Sequence, residues 1–131
     1  PVVGPYLYVS GHIGIHRASA FRARKGLERA AALVRGGTSV VVFPEGTRSP
    51  EGELGDFKRS SFLPALEAGV PVVPLSLVGV KCVARGGLRI HAGRVQLLVH
   101  AAIPTTGRDA EEAGALAEEV RRVVRTGCEA A

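Results

Sequence analysis

Seven consecutive residues, Phe43-Pro44-Glu45-Gly46-Thr47-Arg48-Ser49, concentrate more chemistry than any other stretch of this chain. They follow an apolar run, so they read as the turn after a buried strand, and turns at strand ends carry function more often than structure. Gly46 lets the backbone take a positive φ or approach a ligand closely. Arg48 offers a planar fork suited to phosphate. Thr47, Ser49 and free backbone amides add donors around it, as in anion-binding turns. A carboxylate does not bind phosphate, but Glu45 can orient an arginine or accept a hydrogen bond from a hydroxyl. The group therefore suits a ligand that carries both phosphate and hydroxyls. It equally suits a solvated turn with a Glu–Arg ion pair, and composition alone leaves both readings open.

The flanking sequence supplies the elements that must hold this turn. Residues 12–16 alternate small or polar residues with isoleucine, as in a short strand. Ser19 suits an N-cap for a helix over about 20–35, with Ala23, Leu27, Ala30, Ala31 and Val34 on its apolar face and Gly36-Gly37 as its stop. The β-branched run 38–43 reads as a buried strand, which makes 12–43 a strand–helix–strand unit with parallel strands. A polar loop, 44–58, follows; a loop this long inside a domain is usually functional or disordered. Ser61 suits a cap for a short helix over 62–68, with Pro64 in its first turn. Residues 72–77 and 95–103 read as further strands, with Pro71 and Pro74 interrupting one edge of the first. Residues 79–94 read as irregular. Residues 109–126 form an amphipathic helix, acidic at its start (Asp109, Glu111, Glu112) and basic at its end (Arg121, Arg122, Arg125). Strands alternating with helices predict an α/β fold with a partly parallel sheet flanked by helices.

The bulk numbers narrow the partners. With 131 residues, this is one domain at most. Residues 1–94 hold 13 Lys/Arg against 6 Asp/Glu, and residues 95–131 hold 4 against 6. A basic body suits an anionic partner. Two tyrosines, four phenylalanines and no tryptophan argue against a stacking platform for single-stranded nucleic acid, and no nucleic-acid partner is expected. His12 and His16 lie four residues apart without a third ligand, so no metal site is expected. Cys82 and Cys128 read as reduced thiols. The longest uncharged runs, 1–16 and 68–80, are too short or too broken for a membrane span. The chain has no methionine and starts at Pro1, which suggests a piece of a longer, N-terminally truncated protein.

Four blocks, in order, resemble the PlsC-like 1-acylglycerol-3-phosphate O-acyltransferases, the lysophosphatidic acid acyltransferases. Residues 43–49 match the family's Phe-Pro-Glu-Gly-Thr-Arg-Ser block at every position. Val70-Pro71-Val72-Val73-Pro74 matches its Val-Pro-Val-Val-Pro block. Residues 57–62 are similar to its Phe-Lys-x-Gly-x-Phe segment, with Ser60 in the glycine position. Residues 11–17 are similar to its Gly-x-Ile-x-Ile-Asp-Arg block, with His16 in place of Asp. The family's catalytic His-x4-Asp motif is absent: five residues after His12, His16, His91 and His100 stand Arg17, Phe21, Gln96 and Thr105. In the family that motif lies upstream of the first block found here.

The resemblance implies a glycerolipid acyltransferase-like fold, with residues 1–131 forming the C-terminal, acceptor-binding portion of one acyltransferase domain. It implies transfer of a fatty acyl group from acyl-CoA or acyl carrier protein to the sn-2 hydroxyl of lysophosphatidic acid, giving phosphatidic acid for phospholipid biosynthesis. The donor is a co-substrate, and no cofactor is implied. Arg17 and Arg48 would clamp the glycerol phosphate, Glu45, Gly46 and Thr47 would shape the pocket, and Lys58 would add a cation. Val70, Pro71, Val72, Val73 and Pro74 would line the acyl side; as residues alone they read equally as a core strand. His16 would be a structural neighbour of Arg17 and not a replacement base. The protein would be membrane-associated at the cytoplasmic face. The basic run Arg22, Arg24, Lys25, Arg29 and Arg35 would meet anionic lipid or the phosphates of coenzyme A, or form a solvated helix face. Two alternatives stay open: a non-catalytic lipid- or phosphate-binding remnant, and an acyltransferase for another lysophospholipid or glycerol 3-phosphate.

Arg48→Lys keeps the charge and loses the fork, so affinity for lysophosphatidic acid should fall well below that of the unaltered protein in a binding titration. Unchanged affinity would remove Arg48 from the phosphate site.

Overall fold

The amphipathic stripe of the last helix supplies most of the buried core. The computed structural model describes residues 6, 9–14, 20–47, 54–83 and 91–131. In order, their elements are helix α1 (Ala20–Arg35), a 3-10 turn (Arg59–Ser61), helix α2 (Leu63–Ala68), strand β1 (Leu75–Val78), helix α3 (Val80–Val83), strand β2 (Gln96–Val99), a second 3-10 turn (Ala110–Glu112) and helix α4 (Ala113–Glu129). Ala113, Leu116, Ala117, Val120 and Val124 of α4 pack with Phe62, Leu66 and Ile103 into one buried core. Asp109 and Glu112 close a capping box on the 3-10 turn that leads into α4, within the stretch whose acidic residues marked a helix start.

Helix α1 follows its sequence pattern. Ala30 and Ala31 are buried on the expected face, and α1 packs against α2. Gly37, at φ 85°, ends it in a left-handed cap. There the Gly37 and Thr38 amides donate to the carbonyls of Val34 and Leu33, each at 3.0 Å. The expected Ser19 cap lies outside the described residues. The Ser61 cap is corrected: Ser61 ends the 3-10 turn, and Phe62 takes the N-cap position of α2 with no side-chain hydrogen bond.

The sheet differs from expectation. Its two strands run antiparallel, pairing Leu75 with Val99, Ser76 with Leu98, Leu77 with Leu97 and Val78 with Gln96. No parallel pair forms among the described residues. Residues 12–14 carry no regular structure, and 15–16 lie outside the described residues. The run 38–43 carries no ladder either, and Val41 and Phe43 are 71% and 79% exposed. β-Branched residues favour an extended chain, but a strand exists only through a hydrogen-bonded neighbour, and no described residue supplies one. Pro74 divides the expected strand 72–77, leaving Val72 in a separate bridge with Ile103 (2.9 and 2.8 Å). In the expected irregular segment 79–94, Val80–Val83 form α3, and 84–90 lie outside the described residues.

One face of the ribbon, Leu75, Leu77, Leu97 and Val99, is exposed. The other meets α4. Buried Ser76 donates its hydroxyl proton to the Val124 carbonyl (3.0 Å) and lies 2.7 Å from His100 Nε2. With that proton committed to Val124, Ser76 accepts from the imidazole N–H. Gly127 makes the approach possible, because a Cβ there would sit 2.5 Å from His100 Cε1 and 2.6 Å from Ser76 Oγ. At the other end of α4, Arg108 and Glu119 pair at 2.8 Å. That hydrogen bond raises the Arg108 pKa above its already high ordinary value.

Gly127→Ala should therefore destabilise the chain by about 1–3 kcal/mol in denaturant titrations, despite the better helix propensity of alanine. Gly114 should behave oppositely: a methyl group there would meet nothing within 4 Å, and Gly114→Ala should gain up to about 1 kcal/mol.

Candidate acceptor-binding site

Two limbs of one loop meet at Glu45 and Lys58. Gly46 turns the first limb at φ 67°, and its amide donates to the Phe43 carbonyl at 3.1 Å. This is a backbone conformation that an L side chain adopts only with strain. The second limb returns alongside: the Lys58 amide donates to the Pro44 carbonyl at 2.9 Å. The Gly55 amide donates to Glu45 Oε2 at 3.1 Å. The Glu45 carboxylate is thus fixed on one oxygen by backbone, which leaves its other oxygen to accept from a hydroxyl.

The Lys58 side chain lies across Gly46. A Cβ on Gly46 would come within 3.0 Å of Lys58 Cε and 3.1 Å of Nζ, so the missing side chain is what admits the ammonium. Among the described residues, no ion pair joins Lys58 to a carboxylate. Its charge faces outward beside a fixed carboxylate, a pairing suited to phosphate and hydroxyl on one small ligand.

The second limb is itself anchored. Arg121 of α4 donates through Nε to the Gly55 carbonyl (2.8 Å) and through Nη2 to that of Leu54 (3.4 Å). Nη2 also lies 3.2 Å from Asp56 Oδ1. Phe57 stacks near Phe62, ring centroids 6.4 Å apart, tying the limb to the core.

The structure therefore brings together Glu45, Gly46 and Lys58, with Thr47 exposed at the end of the described limb. Arg17, Arg48, Ser49 and His16 lie outside the described residues. Val70–Pro74 splits by position: Pro74 is buried and Val72 bridges Ile103, whereas Pro71 and Val73 are exposed. The sequence reading missed Arg121, which it treated as a helix-end charge. No motif marks it, and its partner Gly55 is 66 residues away.

Residues 1–78 match the family model described as Acyltransferase. The chain belongs to the acyltransferase family. Over 106 residues the acyltransferase chain is 35% identical to a 1-acyl-sn-glycerol-3-phosphate acyltransferase of Chlamydomonas reinhardtii, covering 79% of this chain and 32% of that protein. Over 126 residues it is 32% identical to the human beta form, covering 95% of this chain and 45% of that protein. The crystal structure of the 1-acyl-sn-glycerophosphate acyltransferase PlsC from Thermotoga maritima superposes with a TM-score of 0.79 at 33% identity, covering 98% of this chain and 51% of that one. The α/β fold of the acyltransferase chain is thus the fold of the matching half of PlsC. The chain spans about a third of the length of the first curated relatives it matches.

Gly46→Ala in the acyltransferase chain should cost about 1–2 kcal/mol from the left-handed backbone, plus the displacement of Lys58. In a double-mutant cycle, Lys58→Ala should recover only the second part, and full recovery would contradict a strained turn.

Proposed function

We propose that this chain supplies the acceptor-binding part of an enzyme that transfers a fatty acyl group from acyl-CoA or acyl carrier protein to the sn-2 hydroxyl of 1-acylglycerol 3-phosphate. The observation that carries this reading is the fixed Glu45 carboxylate beside Lys58, in a chain of the acyltransferase family. Its relatives named 1-acyl-sn-glycerol-3-phosphate acyltransferases support the choice of acceptor.

The acceptor hydroxyl attacks the thioester carbonyl, a C–O bond forms, the C–S bond breaks, and the hydroxyl proton passes by way of a general base to the departing thiol. No histidine of this chain has an aspartate five residues on, so the base is assigned to a histidine outside it. Lys58, with Arg48 and Arg17, would hold the phosphate. Glu45 would accept a glycerol hydroxyl, and Gly46 and Thr47 would shape the pocket. Val72 and Pro74, on the core side, would support the wall that faces the acyl chain.

The acceptor is a membrane lipid, so the enzyme would work at a membrane surface, with the cytoplasmic face as the proposed location. No helix among the described residues is long and apolar enough to cross a membrane. Helix α1 offers a surface instead: Arg22, Arg24, Lys25, Arg29 and Arg35 are exposed, with exposed Phe21 beside Lys25. Each such charge near anionic lipid is worth about 1 kcal/mol. Arg24 spends part of its charge on Glu28 at 2.9 Å.

Calorimetry with a short-chain, soluble lysophosphatidic acid tests the reading. The 131-residue chain should bind it, Glu45→Ala should weaken binding by about tenfold or more, and no thiol should be released from acyl-CoA. Absence of binding would overturn the acceptor assignment. Turnover that disappears in Glu45→Ala would overturn the assignment of the base to residues outside this chain.

A further inference from the structure

We propose that Arg121 is a positioning residue for the Glu45 carboxylate, acting through the Leu54–Gly55 peptide group. Glu45 accepts from the Gly55 amide, and that amide shares its peptide plane with the Leu54 carbonyl. Arg121 Nη2 donates to this same carbonyl, and Nε donates to the carbonyl of Gly55 itself. The guanidinium thus grips the backbone on both sides of the Gly55 amide and sets the direction in which it points. A cation on the carbonyl end of a peptide also polarises its N–H, which strengthens the bond to Glu45.

The placement supports this role. Arg121 lies outside the matched residues 1–78, on a helix whose inner face is core. Its side chain is only 18% exposed, so it is an anchored group and not a solvated charge. Gly55 has no side chain, and a Cβ there would stand 3.2 Å from Glu45 Oε2, so the carboxylate rests directly on the backbone that Arg121 holds. Asp56, 92% exposed, contributes a screened ion pair to the same guanidinium. Lysine cannot reproduce the arrangement, because one ammonium lacks the fixed fork needed to address two carbonyls.

The inference rests on the reading of Glu45 as an acceptor-binding residue, and its test separates the two. In the nitrogen-15-labelled chain, the Gly55 amide resonance should move as the Glu45 carboxylate is protonated, and Glu45→Gln should abolish the movement. In Arg121→Gln the amplitude should fall at least about twofold, and affinity for short-chain lysophosphatidic acid should fall about tenfold, as expected for a weakened charge-assisted contact. Arg121→Lys should rescue neither, and Asp56→Asn should leave both unchanged. Full amplitude at Gly55 in folded Arg121→Gln, or in Arg121→Lys should the former not fold, overturns the proposal. Arg121-dependent coupling in a chain that binds no lysophosphatidic acid upholds the positioning of Glu45 and removes only the acceptor reading.

Discussion

Helix α4 is the constraint on which the described structure depends. A two-stranded ribbon is at best marginal in water, and here one of its faces is exposed. The ribbon is held because Ser76 hydrogen-bonds the α4 backbone and Gly127 lets His100 close over it. The same helix buries Leu116, Ala117, Val120 and Val124 against Phe62 and Leu66, which fixes the start of α2 and the limb of loop leading into it. Arg121 adds direction, since its fork addresses two successive carbonyls.

The candidate site is therefore built from the core outward. The helix holds an arginine, the arginine holds a peptide group, and the peptide group holds the Glu45 carboxylate. Gly46 contributes by absence: its positive φ turns the chain, and its missing side chain gives Lys58 room. A carboxylate fixed on one oxygen and a cation without a carboxylate partner among the described residues stand on adjacent limbs, the opposite of a self-neutralised surface pair.

Local features were legible in the sequence. The apolar faces of α1 and α4, the Gly36-Gly37 stop and the acidic start of the last helical segment are set by residues within one or two turns of each other. The phosphate- and hydroxyl-binding residue types of the Glu45–Lys58 loop were legible, and the family resemblance, not composition, singled them out as a candidate site. Pairing was not legible. The run 38–43 has strand composition, yet composition does not supply a neighbour, and Val41 and Phe43 remain exposed. Ser61 had the chemistry of a cap, but the Arg59–Ser61 turn took it first. Arg121 was invisible as a site residue because its contacts span 66 and 67 residues.

The central claim is that the Glu45–Gly46–Lys58 platform, braced by α4, receives a glycerophosphate. Amide chemical-shift mapping of the 131-residue chain with glycerol 3-phosphate tests it most directly. The account predicts saturable shifts at Gly46, Thr47, Gly55 and Lys58, while Leu116 and Val120 stay still. Shifts centred on Arg122 and Arg125 of α4, or on the basic face of α1, with Gly46 and Gly55 unmoved, would contradict it.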